Sequence, residues 1–115
     1  MNKIKKLSPL TETTFYILIS LLEPLHGYGI MQEVISLSKG RIHLGPGTLY
    51  GALSNLVKAG LIIPRESGEK NPRRKIYIIS ELGKELIKYE LHRLKEMTQN
   101  GEKLLHEKGA ENGST

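Results

Sequence analysis

A chain of 115 residues with net charge +5 and no cysteine bounds one small domain, or one with an appended helix. Without cysteine there is no disulfide framework and no thiolate zinc site, which fits a cytoplasmic protein; MNKIKKLSPL lacks the apolar core of a signal peptide. The longest mostly apolar run, Phe15 to Leu25, holds Glu23 and Pro24 and is too short to span a bilayer, so no membrane partner is expected.

The placement of charge says more than its total. Residues 1–38 balance to zero and residues 76–115 to −1. Residues 39–75 hold Lys39, Arg41, Lys58, Arg65, Lys70, Arg73, Arg74 and Lys75 against Glu66 and Glu69, net +6. A confined basic patch is the footprint of a polyanion partner.

In chain order, residues 1–7 read as a basic N-terminal arm. Thr11 caps a helix from about Glu12 to Leu22, apolar on more than one face through Phe15, Ile17, Leu18, Ile19, Leu21 and Leu22. Such a helix needs two partners, here its own domain and a second subunit. Pro24 ends it. His26-Gly27-Tyr28-Gly29 turns into a second helix reaching about Ser38, with Tyr28, Ile30, Met31, Val34, Ile35 and Leu37 as its apolar stripe. Gly40 stops it, and the alternation in Arg41-Ile42-His43-Leu44 predicts a short strand.

A third helix follows from about Pro46 to Ala59. Gly45 suits the N-cap, Pro46 the first helical position and Gly60 the left-handed residue beyond the end. Leu49, Ala52, Leu53, Leu56 and Val57 form its inward stripe. Gly47, Thr48, Tyr50, Gly51, Ser54, Asn55 and Lys58 make an outer face that is small, polar and free of acid.

After Gly60 the period changes to about two. Leu61-Ile62-Ile63 and Lys75-Ile76-Tyr77-Ile78-Ile79 flank a charged turn with Gly68, Asn71 and Pro72, which predicts a hairpin. Ser80 caps a long helix with the stripe Ile87, Leu91 and Leu94. Asn100-Gly101 signals a break, then a short coda. The fold expected is mainly α with a two-stranded β wing. A winged helix-turn-helix would span residues 8–79, a dimerisation helix 80–108 and a disordered tail 109–115.

HGYGI at 26–30, LGPGTLYGALSNLVKAGLI at 44–62 and RKIYIISELGKE at 74–85 resemble the PadR family of transcriptional regulators. The resemblance covers about residues 8–95. It implies a winged-helix DNA-binding domain, a homodimer built by the C-terminal helix and, usually, repression. Some members are released from DNA by small molecules. The short C-terminal region resembles the compact branch with a single dimerisation helix.

The residues themselves suggest how double-stranded DNA would be held. The start of the third helix offers free N–H groups near Gly47, Thr48 and Leu49 to a phosphate. Tyr50, Ser54 and Lys58 line one ridge, and the small residues let it sink into a major groove. Arg41, Lys70, Arg73, Arg74 and Lys75 supply further cations. Only Ser54 and Asn55 offer base readout on the helix, so most contacts should be to phosphate.

Phe15, Leu18, Leu22, Ile87, Leu91 and Leu94 are the expected dimerisation residues, because the last helix is too long for one small domain to cover. A dimer would set two recognition helices about 34 Å apart over a near-palindromic operator. Phe15, Tyr16, Leu86, Tyr89 and Arg93 are the candidate wall of a pocket for a small aromatic effector. The four histidines show no metal-ligand spacing, and no cofactor is expected. A rival reading is a winged-helix protein-interaction module, which would offer an apolar or acidic face. No Ser–His–Asp order or paired acids suggest an enzyme.

Overall fold

A computed structural model describes residues 2–66 and 75–111 of the chain. It consists of α1 (Asn2–Leu7), α2 (Glu12–Ser20), β1 (Leu25–His26), α3 (Gly27–Leu37), α4 (Pro46–Lys58), β2 (Ile62–Arg65), β3 (Ile76–Ile79) and α5 (Glu81–Glu111). The element boundaries have local causes. The Thr11 hydroxyl accepts from the Thr14 amide at 3.1 Å and caps α2. At the end of α3 the Gly40 amide donates to the Ile35 carbonyl at 2.9 Å, with Lys39 and Gly40 both left-handed at φ 53° and 83°. At the end of α4 the Leu61 amide donates to Leu56 and the Gly60 amide to Val57, each at 3.0 Å, with Gly60 at φ 77°. This is the Schellman pattern, and it turns the chain directly into β2.

Leu18 and Leu21 of the α2 region, Ile30 and Val34 of α3, Leu49 and Leu53 of α4, Leu61, Ile79 and Leu86 close one core. The sheet has order β1-β3-β2 and is antiparallel throughout. Its hairpin pairs Ile62 with Ile79 and Arg65 with Ile76, and β1 adds Leu25 against Tyr77 and His26 against Ile76.

Several expectations are corrected. The wing has three strands among the described residues, and the third comes from Leu25–His26; residues 41–44 form none. Residues 2–7 are helical, not an arm, because Ile4 is buried in the core while Lys3, Lys5 and Lys6 stay exposed. The last helix runs unbroken through Asn100-Gly101 to Glu111, so residues 109–111 belong to it. A helical glycine costs only about 1 kcal/mol, which the Glu, Lys and Leu neighbours offset.

The α1–α2 connection is fastened to α5 by Glu90, a carboxylate only 1% exposed. It accepts from the Ser8 hydroxyl at 2.5 Å, the Leu10 amide at 2.6 Å, and Arg93 Nε and Nη2 at 2.8 and 3.0 Å. The Arg93 fork, against burial and with help from Ser8 and Leu10, lowers its pKa from 4.5 to about 2. The stabilisation is therefore complete above about 4.5 and is lost as pH falls from there through about 2. In total it amounts to about 3 kcal/mol. Urea melts at falling pH are expected to lose stability in this window, and Glu90→Gln, with no charge to lose, is expected to show a flatter profile. Parallel profiles would mean that Glu90 is not ionised in the folded chain.

Candidate nucleic-acid interface

Helix α4 buries Leu49, Leu53 and Leu56 and exposes every residue of the expected outer face: Gly47, Thr48, Tyr50, Gly51, Ser54, Asn55 and Lys58. A Cβ added at Gly47 or Gly51 would meet nothing within 4 Å, and neither glycine has a positive φ. Each costs the helix about 1 kcal/mol relative to alanine. Nothing among the described residues requires glycine at these two positions, so their smallness leaves room for a partner outside them. The N-terminus carries no side-chain cap. The amides of Gly47 and Thr48 are left over by helix geometry. Leu49 differs from the expectation, because its amide already donates to the Gly45 carbonyl at 2.9 Å.

Tyr50 is exposed along one edge and packed along the other. Its phenol rests on Gly27, where an added Cβ would lie 2.5 Å from the hydroxyl oxygen. Tyr77 of β3 is close enough that burial first, and Tyr50 second, raise its pKa. The turn at 26–29, α4 and the wing therefore meet in one joint. Tyr28 was expected on the inward stripe of α3, yet it is 69% exposed. The signal is in the glycines: a Cβ at Gly29 would sit 3.3 Å from the Leu25 side chain, so Gly29 faces inward and Tyr28 outward.

The wing carries exposed Arg65 at the end of β2 and exposed Lys75 just before β3. Lys70, Arg73 and Arg74 lie outside the described residues. Arg41 is committed elsewhere: its Nη2 donates to Glu12 at 2.8 Å and its Nε to the Ser38 carbonyl at 3.0 Å. It must leave Glu12 to reach a phosphate with its full fork.

A model of the transcriptional regulator PadR-like family matches residues 16–89. The chain belongs to the PadR-like family. Members of this family are transcriptional regulators, not enzymes. The PadR-like chain is 40% identical over 70 residues to an uncharacterized 37.1 kDa protein in transposon TN4556 of Streptomyces fradiae. That match covers 60% of this chain but 19% of the relative, so it concerns a small part of a longer protein. Among solved structures, a transcriptional regulator from Clostridium thermocellum superposes with a TM-score of 0.64 at 21% identity, covering 90% of this chain and 97% of that one. A PadR-like transcription factor from Bacteroides fragilis gives 0.64 at 22%, covering 80% and 87%. These two likenesses are of fold: a winged helix followed by a long C-terminal helix.

The PadR-like chain distributes the remaining expected residues unevenly. Leu18 lies wholly inside its own core and is unavailable to a second subunit, because it points from α2 toward the other core leucines and isoleucines. Ile87 is likewise buried at home. Leu22, Leu91 and Leu94 are exposed, Phe15 is half-buried, and Met97, Leu104 and Leu105 extend the exposed apolar row along α5. Phe15, Tyr16 and Arg93 do meet around a cleft. Leu86 is closed inside the core, and Tyr89 is not on the cleft wall. Among the described residues, no helix is long and apolar enough to cross a membrane.

Proposed function

We propose that this chain is a sequence-specific, DNA-binding transcriptional repressor that acts in the cytoplasm as a homodimer on a near-palindromic operator. The observation that carries the reading is the exposed face of α4, where Gly47 and Gly51 serve no contact among the described residues. That face carries Lys58 and no acid, and its uncapped N-terminus is suited to a phosphate. Its charge also favours DNA over the protein-interaction reading, which would want an apolar or acidic surface. The dimer rests on α5, whose 31 residues extend about 46 Å at 1.5 Å per residue, beyond what the winged domain covers. A dimer seated across two successive major grooves would exclude other proteins from the promoter it covers, which is the physical basis assigned to repression.

Salt dependence tests the contact assignment. Each phosphate neutralised contributes about 0.9 to the slope of log K against log salt. A dimer carries Lys58 twice, so Lys58→Ala is expected to flatten the slope by about 1.8 and to weaken all duplexes alike. Fluorescence anisotropy over a salt series reads this directly. An unchanged slope would place Lys58 away from the backbone.

A further inference from the structure

Where β1 runs into α3, at His26-Gly27-Tyr28-Gly29, internal packing accounts for both glycines but not for Tyr28. Gly27 makes room for the Tyr50 phenol, and Gly29 for the Leu25 side chain. Tyr28 is 69% exposed, against 43% for Tyr50, and its hydroxyl has no hydrogen-bond partner among the described residues. The two tyrosines are neighbours in space. A Cβ on Gly27 would lie 2.5 Å from the Tyr50 hydroxyl oxygen. Tyr28 is the next residue, so its Cα stands no more than about 8 Å from that oxygen. Tyr50 thus turns its hydroxyl back onto the first turn of α3, while Tyr28 beside it holds its own out in water.

We infer that Tyr28 binds a DNA phosphate at the edge of the groove that α4 enters, through an uncharged hydrogen bond donated by its hydroxyl. This contact rests on the DNA reading above. In a helix-turn-helix the helix before the reading helix crosses the sugar-phosphate backbone. Here that helix is α3, and Tyr28 stands in its first turn, next to the α4 ridge that starts with Tyr50. Helix α3 carries one charge, Glu33, and no cation. Glu33 comes five residues after Tyr28, about 140° round the helix, so it lies off that face. What α3 can offer a phosphate is therefore an uncharged donor. A phenol is one, held on a side chain with few rotatable bonds. It brings no cation to replace a counterion, so it adds affinity without adding to the salt slope. Lys58, at the far end of the same ridge, does both.

The test measures anisotropy of the full chain, wild type and Tyr28→Phe, on a duplex from the gene's own promoter over a salt series. Phenylalanine keeps the ring and removes only the hydroxyl, and circular dichroism confirms that the helices persist. Loss of one bond to a charged group is expected to weaken binding about tenfold per subunit, and so about 100-fold for a dimer. The salt slope is expected to stay that of the wild type, whereas Lys58→Ala flattens it. A second series places a methylphosphonate, which removes the charge of one phosphate, at each backbone position in turn. At one position in each half-site it is expected to weaken the wild type about tenfold more than Tyr28→Phe. A merely structural role for the hydroxyl would lower affinity at every position alike. Unchanged affinity of Tyr28→Phe overturns the contact. A flattened slope, or no position at which the two proteins differ, overturns its assignment to phosphate. No binding of the wild type to any duplex at low salt would sink the DNA reading itself, and this contact with it.

Discussion

Gly83→Ala is expected to lower folding stability by about 3 kcal/mol, although alanine is the better helix former by about 1 kcal/mol. Gly83 stands in the first turn of α5, pressed against the chain that links α4 to β2. An added Cβ would fall on the Leu61 carbonyl oxygen and lie 2.6 Å from Ile79 Cγ1. The backbone there cannot yield, because Leu61 accepts from the Ser80 amide at 2.9 Å. Ser80 also donates its hydroxyl to the Gly60 carbonyl at 2.6 Å and accepts from the Gly83 amide at 3.0 Å. Thermal melts should show the midpoint falling by roughly 10 °C or more. Gly101→Ala is the internal control. Its Cβ would meet nothing within 4 Å, so the same substitution should stabilise by about 1 kcal/mol. Equal effects at the two sites would mean that α5 does not approach Leu61 this closely.

Leu91→Lys combined with Leu94→Lys is expected to leave the fold intact and to weaken operator binding about 100-fold. Leu91 is 46% exposed and Leu105, further along the same helix, 77%, so this row makes few contacts within its own chain. Lysine is well tolerated on an exposed helix face, but not at the centre of an apolar seam. Two half-sites bound by one dimer gain the effective concentration of linkage, worth about 100- to 10,000-fold, and a monomer forfeits it. Sedimentation velocity should report the loss of the dimer, circular dichroism an unchanged helix content, and anisotropy the weaker DNA binding. A variant with unchanged mass and unchanged affinity would assign the dimer contact to another surface.

The two helix ends of α4 were legible because their chemistry is local. Pro46, Gly45 and Gly60 each suit one backbone position, and Thr11 likewise marks the start of α2. The outer face of α4 was equally plain, since a 3.6-residue period assigns all of its positions together. Readings failed where the deciding partner is distant in sequence. Leu25–His26 is too short to show a period, and only β3, some fifty residues on, makes it a strand. Arg41–Leu44 alternates as a strand should but finds no edge to join. Apolar character alone could not separate Leu18 from Leu22, because α2 stops at Ser20 and Leu22 leaves the helical register. Nothing local in the sequence marks Glu90, because Ser8 and Leu10, which help fill its carboxylate, lie about eighty residues away. The break expected at Asn100-Gly101 gave too much weight to two weak residues in a run of strong helix formers.

The most direct test of the DNA reading compares two duplexes at physiological salt, one from the gene's own promoter carrying an inverted repeat and one with that repeat scrambled. The exposed, acid-free face of α4, doubled by the α5 dimer, predicts that the first binds at least about a thousandfold more tightly. Equal affinity for the two would contradict a sequence-specific regulator, and no retention of either at low salt would mean that this face meets a protein instead of DNA.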